Sequence, residues 1–204
     1  MFYHNITMHK NILNLIIKKS FYFLKMLNLS ATNLLFINVI SSIFVGFIPY
    51  FLGVSKAYLI LLSLFLLIRI ALVTVANHLA KNFSQNTIYF TVLKDISLQI
   101  SDVSILIAFL AINEYSVASL FFFWIFAGIS DSAVIIGKSI TGKSVEVGPI
   151  GFYERSYILS ILSLFLAFHI INNYLFNLCI ILLAVLCLFT VVNRINYIFE
   201  LCEE

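Results

Sequence analysis

The chain has 204 residues, 62% apolar and 10% charged, with a mean hydropathy of +1.08 and a net charge of +3. Soluble domains run about 45–50% apolar and about 25% charged, and a chain this short cannot hide such an excess in one core. A soluble enzyme, a disordered tail and a secreted disulfide scaffold are therefore excluded, and an all-α membrane protein remains. Two prolines and seven glycines over this length agree with long, seldom interrupted helices.

Residues 1–29 read as an amphipathic segment on the cytoplasmic face. Between 9 and 27, Ile12, Leu13, Leu15, Ile16 and Ile17 alternate with Lys10, Lys18, Lys19 and Lys25. That pattern suits a juxtamembrane helix lying along an anionic inner leaflet, and a partly ordered basic tail is the plainer alternative. The first apolar stretch is short and ends at Lys18 and Lys19, so no cleavable signal is expected.

A membrane-spanning helix takes about 20 mostly apolar residues. Six stretches meet this, near 31–53, 57–80, 88–112, 115–137, 156–174 and 175–199. Together, residues 30–200 read as one six-helix membrane domain, followed by a short acidic tail at 201–204. With the N-terminus inside, the cytoplasmic segments hold Lys10, Lys18, Lys19, Lys25, Lys81, Lys138, Lys143, Arg155 and Arg194, and the outer loops hold Lys56. The positive-inside rule then places both termini in the cytoplasm of an inner or cytoplasmic membrane. The inner loop 138–155 carries Gly142, Gly148, Pro149 and Gly151, which makes it the best place for irregular backbone.

The stretch 137–144, GKSITGKS, matches the phosphate-loop pattern letter for letter. That loop needs a preceding buried strand and a following helix whose amides hold phosphate. Here a spanning helix precedes it and loop follows it, so the match is read as chance. The basic residues are too dispersed to suggest nucleic acid. Cys179, Cys187 and Cys202 have no pairing or metal spacing and read as buried thiols.

From Ile68 the chain reads IRIALVTVANHLAKNFSQNTIYFTVLKDISLQISDVSIL, and later VGPIGFYERSYIL. Together with LNLSATNLLF before the first span, these stretches resemble the CDP-alcohol phosphatidyltransferase family over roughly 30–166. Its signature is D-x-x-D-G-x-x-A-R-x8-G-x3-D-x3-D. The resemblance implies six spans behind an amphipathic N-terminal helix, with a cytoplasm-facing site at the ends of helices two and three. It also implies transfer of a phosphatidyl group from a CDP-linked lipid to an alcohol, with Mg or Mn held by the aspartates. Laid on the signature, Ala80 and Lys81 fall on the Ala-Arg pair, while the four aspartate positions hold Val73, Ala76, Lys94 and Leu98. The two glycines fall on Asn77 and Phe90. Without those oxygen ligands the metal-assisted step lacks its chemistry, so no catalytic residue and no metal site is assigned. Asp95 and Asp102 share a helix face but stand about 10 Å apart along it, too far to chelate one ion.

The expected function is therefore a degenerate, noncatalytic member of phospholipid biosynthesis that binds membrane lipid or a partner. An active transferase with a rearranged site, taking CDP-diacylglycerol, is one alternative. A small transporter or structural membrane subunit is the other. The family resemblance carries dimerisation as an option, though no small-xxx-small stripe marks an interface. Lys81, Lys143 and Arg155 are candidate substrate-phosphate ligands, with ordinary inside-positive topology as the plain alternative. His78 and Asn77 are read as headgroup-level polar residues rather than ligands, and His169 as interfacial. Arg69, Lys94, Asp95, Asp102 and Asp131 fall inside spans, where each charge costs about 2.5–3.5 kcal/mol unless paired or hydrated. Matching depths suggests two structural pairs, Arg69 with Asp102 and Lys94 with Asp131, with Asp95 able to join the second. A hydrated polar cavity is the competing arrangement.

Overall fold

The computed structural model describes residues 30–82, 88–111, 117–143 and 145–203. The expected N-terminal helix at 9–27 lies outside them. The described residues form six α-helices and no strand: α1 (Ala31–Leu52), α2 (Lys56–Asn82), α3 (Ile88–Leu110), α4 (Val117–Thr141), α5 (Phe152–Ala167) and α6 (Asn173–Glu203). Ser30 starts the first by accepting the Asn33 amide at 3.2 Å on its hydroxyl, a side-chain N-cap. Within the acidic tail expected at 201–204, residues 201–203 continue α6, which runs to Glu203.

Four helices, α1, α2, α4 and α6, are long and apolar enough to cross a membrane. Helix α3 carries Lys94, Asp95 and Asp102, and α5 has 16 residues. At 1.5 Å per residue α5 is about 24 Å long, short of the roughly 30 Å hydrocarbon core. The fifth apolar segment also begins earlier than expected, at Phe152 rather than near 156, and ends at Ala167.

Helix α1 packs along α3, α2 along α5, and α4 along α6. Small residues set the α1–α3 distance. Ser42 and Gly46 of α1 and Ser97, Ser101 and Ser104 of α3 are all buried. A Cβ on Gly46 would stand 2.4 Å from the Ser104 carbonyl oxygen, so only glycine permits this approach. The main core joins Leu62, Leu66, Phe109, Phe123, Phe176 and Ile180, with the Phe109 and Phe176 rings stacked at 6.0 Å. The outward faces are apolar as well. Phe44, Phe51, Val103, Phe122, Ile161 and Phe189 are exposed, the reverse of a soluble surface.

Residues 145–151 lie against α6 as non-helical backbone, with 146–149 exposed. Val145 and Ile150 are buried, and Gly148 takes φ +128° with its α-carbon against Thr190. The Ile150 amide donates to Thr190 Oγ1 at 3.2 Å, and the Val147 carbonyl accepts from Arg194 Nε at 3.1 Å. Irregular backbone is tolerated in a membrane bundle where protein groups satisfy it, and α6 supplies those groups here.

Candidate functional site

Five helices bring one ionisable side chain each to the middle of the bundle: Arg69, Asp102, Asp131, Arg155 and Arg194, from α2 to α6 in chain order. Arg69 donates to the Asp102 carboxylate and, through the same nitrogen, to the Leu98 carbonyl at 3.3 Å. Its guanidinium lies 4.5 Å from the centre of the Phe152 ring. Arg155 bridges the two aspartates: its Nη2 stands 2.5 Å from Asp131 Oδ2 and 3.5 Å from Asp102 Oδ2. Arg194 donates to the Ser130 carbonyl at 2.5 Å and hydroxyl at 2.8 Å, and lies 3.7 Å from Asp131 Oδ1. Charges this deep are tolerated only when paired, and charge-assisted bonds to guanidinium are the strong kind.

The pairing differs from the depth argument at one point. Lys94 lies 3.7 Å from Asp95, its neighbour on the same helix, and both side chains are partly exposed. Asp131 takes Arg155 and Arg194 in place of Lys94. Depth matching compares heights within helices that start at the membrane surface. It does not give the direction a side chain faces around the bundle, and Arg155, at the start of α5, faces Asp131. Arg194 was legible only as an inside-positive charge, and its position within the last apolar run was the signal that it belongs to the site.

The three candidate phosphate ligands differ in exposure. Arg155 is 2% exposed and committed to the aspartates, whereas Lys81 and Lys143 are exposed. Asn77 lies 3.5 Å from the Tyr153 hydroxyl, and His78 is exposed. His169 sits in the turn after α5 with φ +55°. The three cysteines are free thiols, but only Cys187 is buried; Cys179 is half-buried and Cys202 exposed, which corrects the buried reading for the last.

Of the four motif positions, Val73 and Ala76 are buried at 1% and 0% exposure. Ala76 packs with Ala31, Leu34, Leu35, Leu79, Ala80 and Phe90, so apolar contacts fill its surroundings. Lys94 is half-buried against Asp95, and Leu98 contributes its carbonyl to Arg69. A divalent metal does not fit these residues. The motif positions supply no carboxylate, the Asp102 and Asp131 carboxylates are taken up by guanidinium groups, and no cluster of three His, Cys, Asp or Glu side chains occurs among the described residues.

The phosphate-loop match also has a structural account. Residues 137–141 are the last turn of α4, and Gly142 takes φ +68° at its end; Ser144 lies outside the described residues. A Cβ on Gly137 would stand 2.8 Å from both Ile198 and Val145. That glycine serves close packing of α4 on α6.

No protein-family model matches the chain, and no curated protein matches it.

Proposed function

We propose that this chain is an integral membrane protein of six spans that binds membrane lipid without catalysing group transfer, a degenerate relative of the CDP-alcohol phosphatidyltransferases of phospholipid biosynthesis. The observation that carries it is the burial of Val73 and Ala76, the latter inside an apolar cluster, where the family resemblance calls for metal-binding aspartates. The six-span reading is supported by neutralisation of the charges on α3, since Asp102 has two arginines and Lys94 has Asp95. It is supported too by exposed apolar stripes on the charged α3 and the short α5: Val92, Ile96, Ile100 and Val103 on α3, and Tyr157, Ile161 and Phe165 on α5. These faces would meet lipid. Both termini would face the cytoplasm, with Lys81, Lys138 and Lys143 among anionic headgroups.

The test reconstitutes the chain in vesicles with CDP-diacylglycerol, Mg²⁺ or Mn²⁺, and a panel of acceptor alcohols. The expected result is no CMP release above empty vesicles, together with retention of anionic phospholipid that falls when Lys81 and Lys143 are both changed to Gln. Metal-dependent CMP release would restore the transferase reading. Unchanged lipid retention in the double variant would point to a structural or transport role.

A further inference from the structure

A cavity of about 560 Å³ lies where α3 meets α4 and α6, within the usual range of small-ligand sites. None of Val73, Ala76, Lys94 and Leu98 lines it, so it is separate from the positions that the transferase resemblance singles out. Most of its wall is apolar, with Val103 and Ile129 among the lining residues. Two lining residues are charged, Asp102 and Asp131. Gly128 also lines it, and a Cβ built there would meet nothing within 4 Å, so the space begins at the helix backbone itself.

The charges around this cavity select the head of an occupant. The charged groups that the wall presents are both carboxylates, which as ionised groups accept hydrogen bonds and cannot donate them, while Gln99 and Ser132 line it as neutral groups that can donate or accept. An anionic head would therefore meet like charge at both carboxylates. Behind those carboxylates stand Arg69, Arg155 and Arg194, three positive charges against two negative ones. A cationic head would add to a surplus that is already positive. A neutral hydroxyl fits both conditions. One acceptor is placed for it: Asp131 Oδ1 lies 3.7 Å from Arg194, beyond hydrogen-bond distance, and the Asp131 side chain keeps 21% of its exposure.

We propose that this cavity binds one neutral, hydroxyl-bearing lipid, whose hydroxyl donates to Asp131 and whose chain lies along Val103, Gly128 and Ile129. The proposal rests on the bundle standing in a membrane and not on the transferase resemblance, so the CMP assay leaves it untouched.

Trp124 lines the same cavity and is the single tryptophan of the chain, so its fluorescence reports occupancy directly. The experiment reconstitutes the full chain in vesicles and adds lipids that share one brominated chain, with a hydroxyl, a sulfate or a trimethylammonium head. Bromine quenches the indole on contact. The alcohol is expected to reach half-quenching at about a threefold lower mole fraction than either charged probe, the worth of one net hydrogen bond. That preference is expected to vanish in Gly128→Leu and in Val103→Phe, which fill the cavity from α4 and from α3. Equal quenching by all three heads would overturn the assignment, as would stronger quenching by a charged one. A preference that survives in both filled variants would move the site elsewhere. Should either variant fail to fold, the comparison of heads in the unmodified chain still decides.

Discussion

Arg155, near the start of α5, lies 2.5 Å from Asp131 in the second half of α4, and the same nitrogen lies 3.5 Å from Asp102. One guanidinium thus ties α5 to both α3 and α4. The network around it is unequal, because Asp102 also holds Arg69 and Asp131 also faces Arg194.

That inequality predicts which loss does more harm. Arg155→Met leaves each carboxylate one arginine, whereas Asp131→Leu removes the ion-pair partner of Arg194 and raises the positive surplus. Breaking a buried pair by removing one partner costs about 3–5 kcal/mol. Asp131→Leu should therefore lower the melting temperature in detergent further than Arg155→Met, and the double variant should recover part of the loss. Equal losses in the two single variants would show that the network is not balanced as described.

Two glycines should respond oppositely to alanine. The added methyl of Gly46→Ala would sit 2.4 Å from a backbone oxygen of α3, which cannot turn aside. Overpacking of this kind costs about 1–3 kcal/mol. Gly128→Ala meets open space and should be neutral or stabilise by up to about 0.5–1 kcal/mol, since alanine loses less backbone freedom in a helix. Thermal unfolding of the two variants side by side checks the contrast. A comparable loss in both would contradict the open wall at Gly128.

An aspartate at Ala76, one of the positions where the transferase resemblance calls for a carboxylate, should harm the chain. Ala76→Asp places an unpaired charge among Leu34, Leu35, Leu79 and Phe90, where burial without a partner is costly. His78→Asp, two residues along on the exposed side of α2, is the matched control. Accumulation in membranes should fall several-fold for the first and hold for the second. Normal accumulation of Ala76→Asp would mean that the cluster opens to water.

Topology separates six spans from four. Cys202 is exposed near the end of α6, and Glu146 is exposed in the segment before α5. If α3 and α5 cross the membrane, Glu146→Cys and Cys202 lie on one side and a membrane-impermeant maleimide labels both from the cytoplasmic face. If only the four long helices cross, the two positions lie on opposite sides. Labelling of sealed vesicles of each orientation reads the outcome.

Hydropathy and charge alone were enough to read an all-helical membrane chain, because twenty-residue apolar runs have no stable soluble alternative. Five helical segments also fell close to their expected limits for that reason. The fifth did not, since its start depends on where Thr190 and Arg194 of α6 satisfy the backbone of 145–151. The small-residue contact of Gly46 with Ser104 was equally invisible, as it needs two helices at a known distance. For the intramembrane charges, the sequence by itself determined that they required partners, through the cost of an unpaired charge in hydrocarbon. Which partners they took was decided by tertiary structure. Height along a helix can be counted from sequence, but the direction a side chain faces around the bundle is set by packing, and packing turned Asp131 to Arg155 and Arg194.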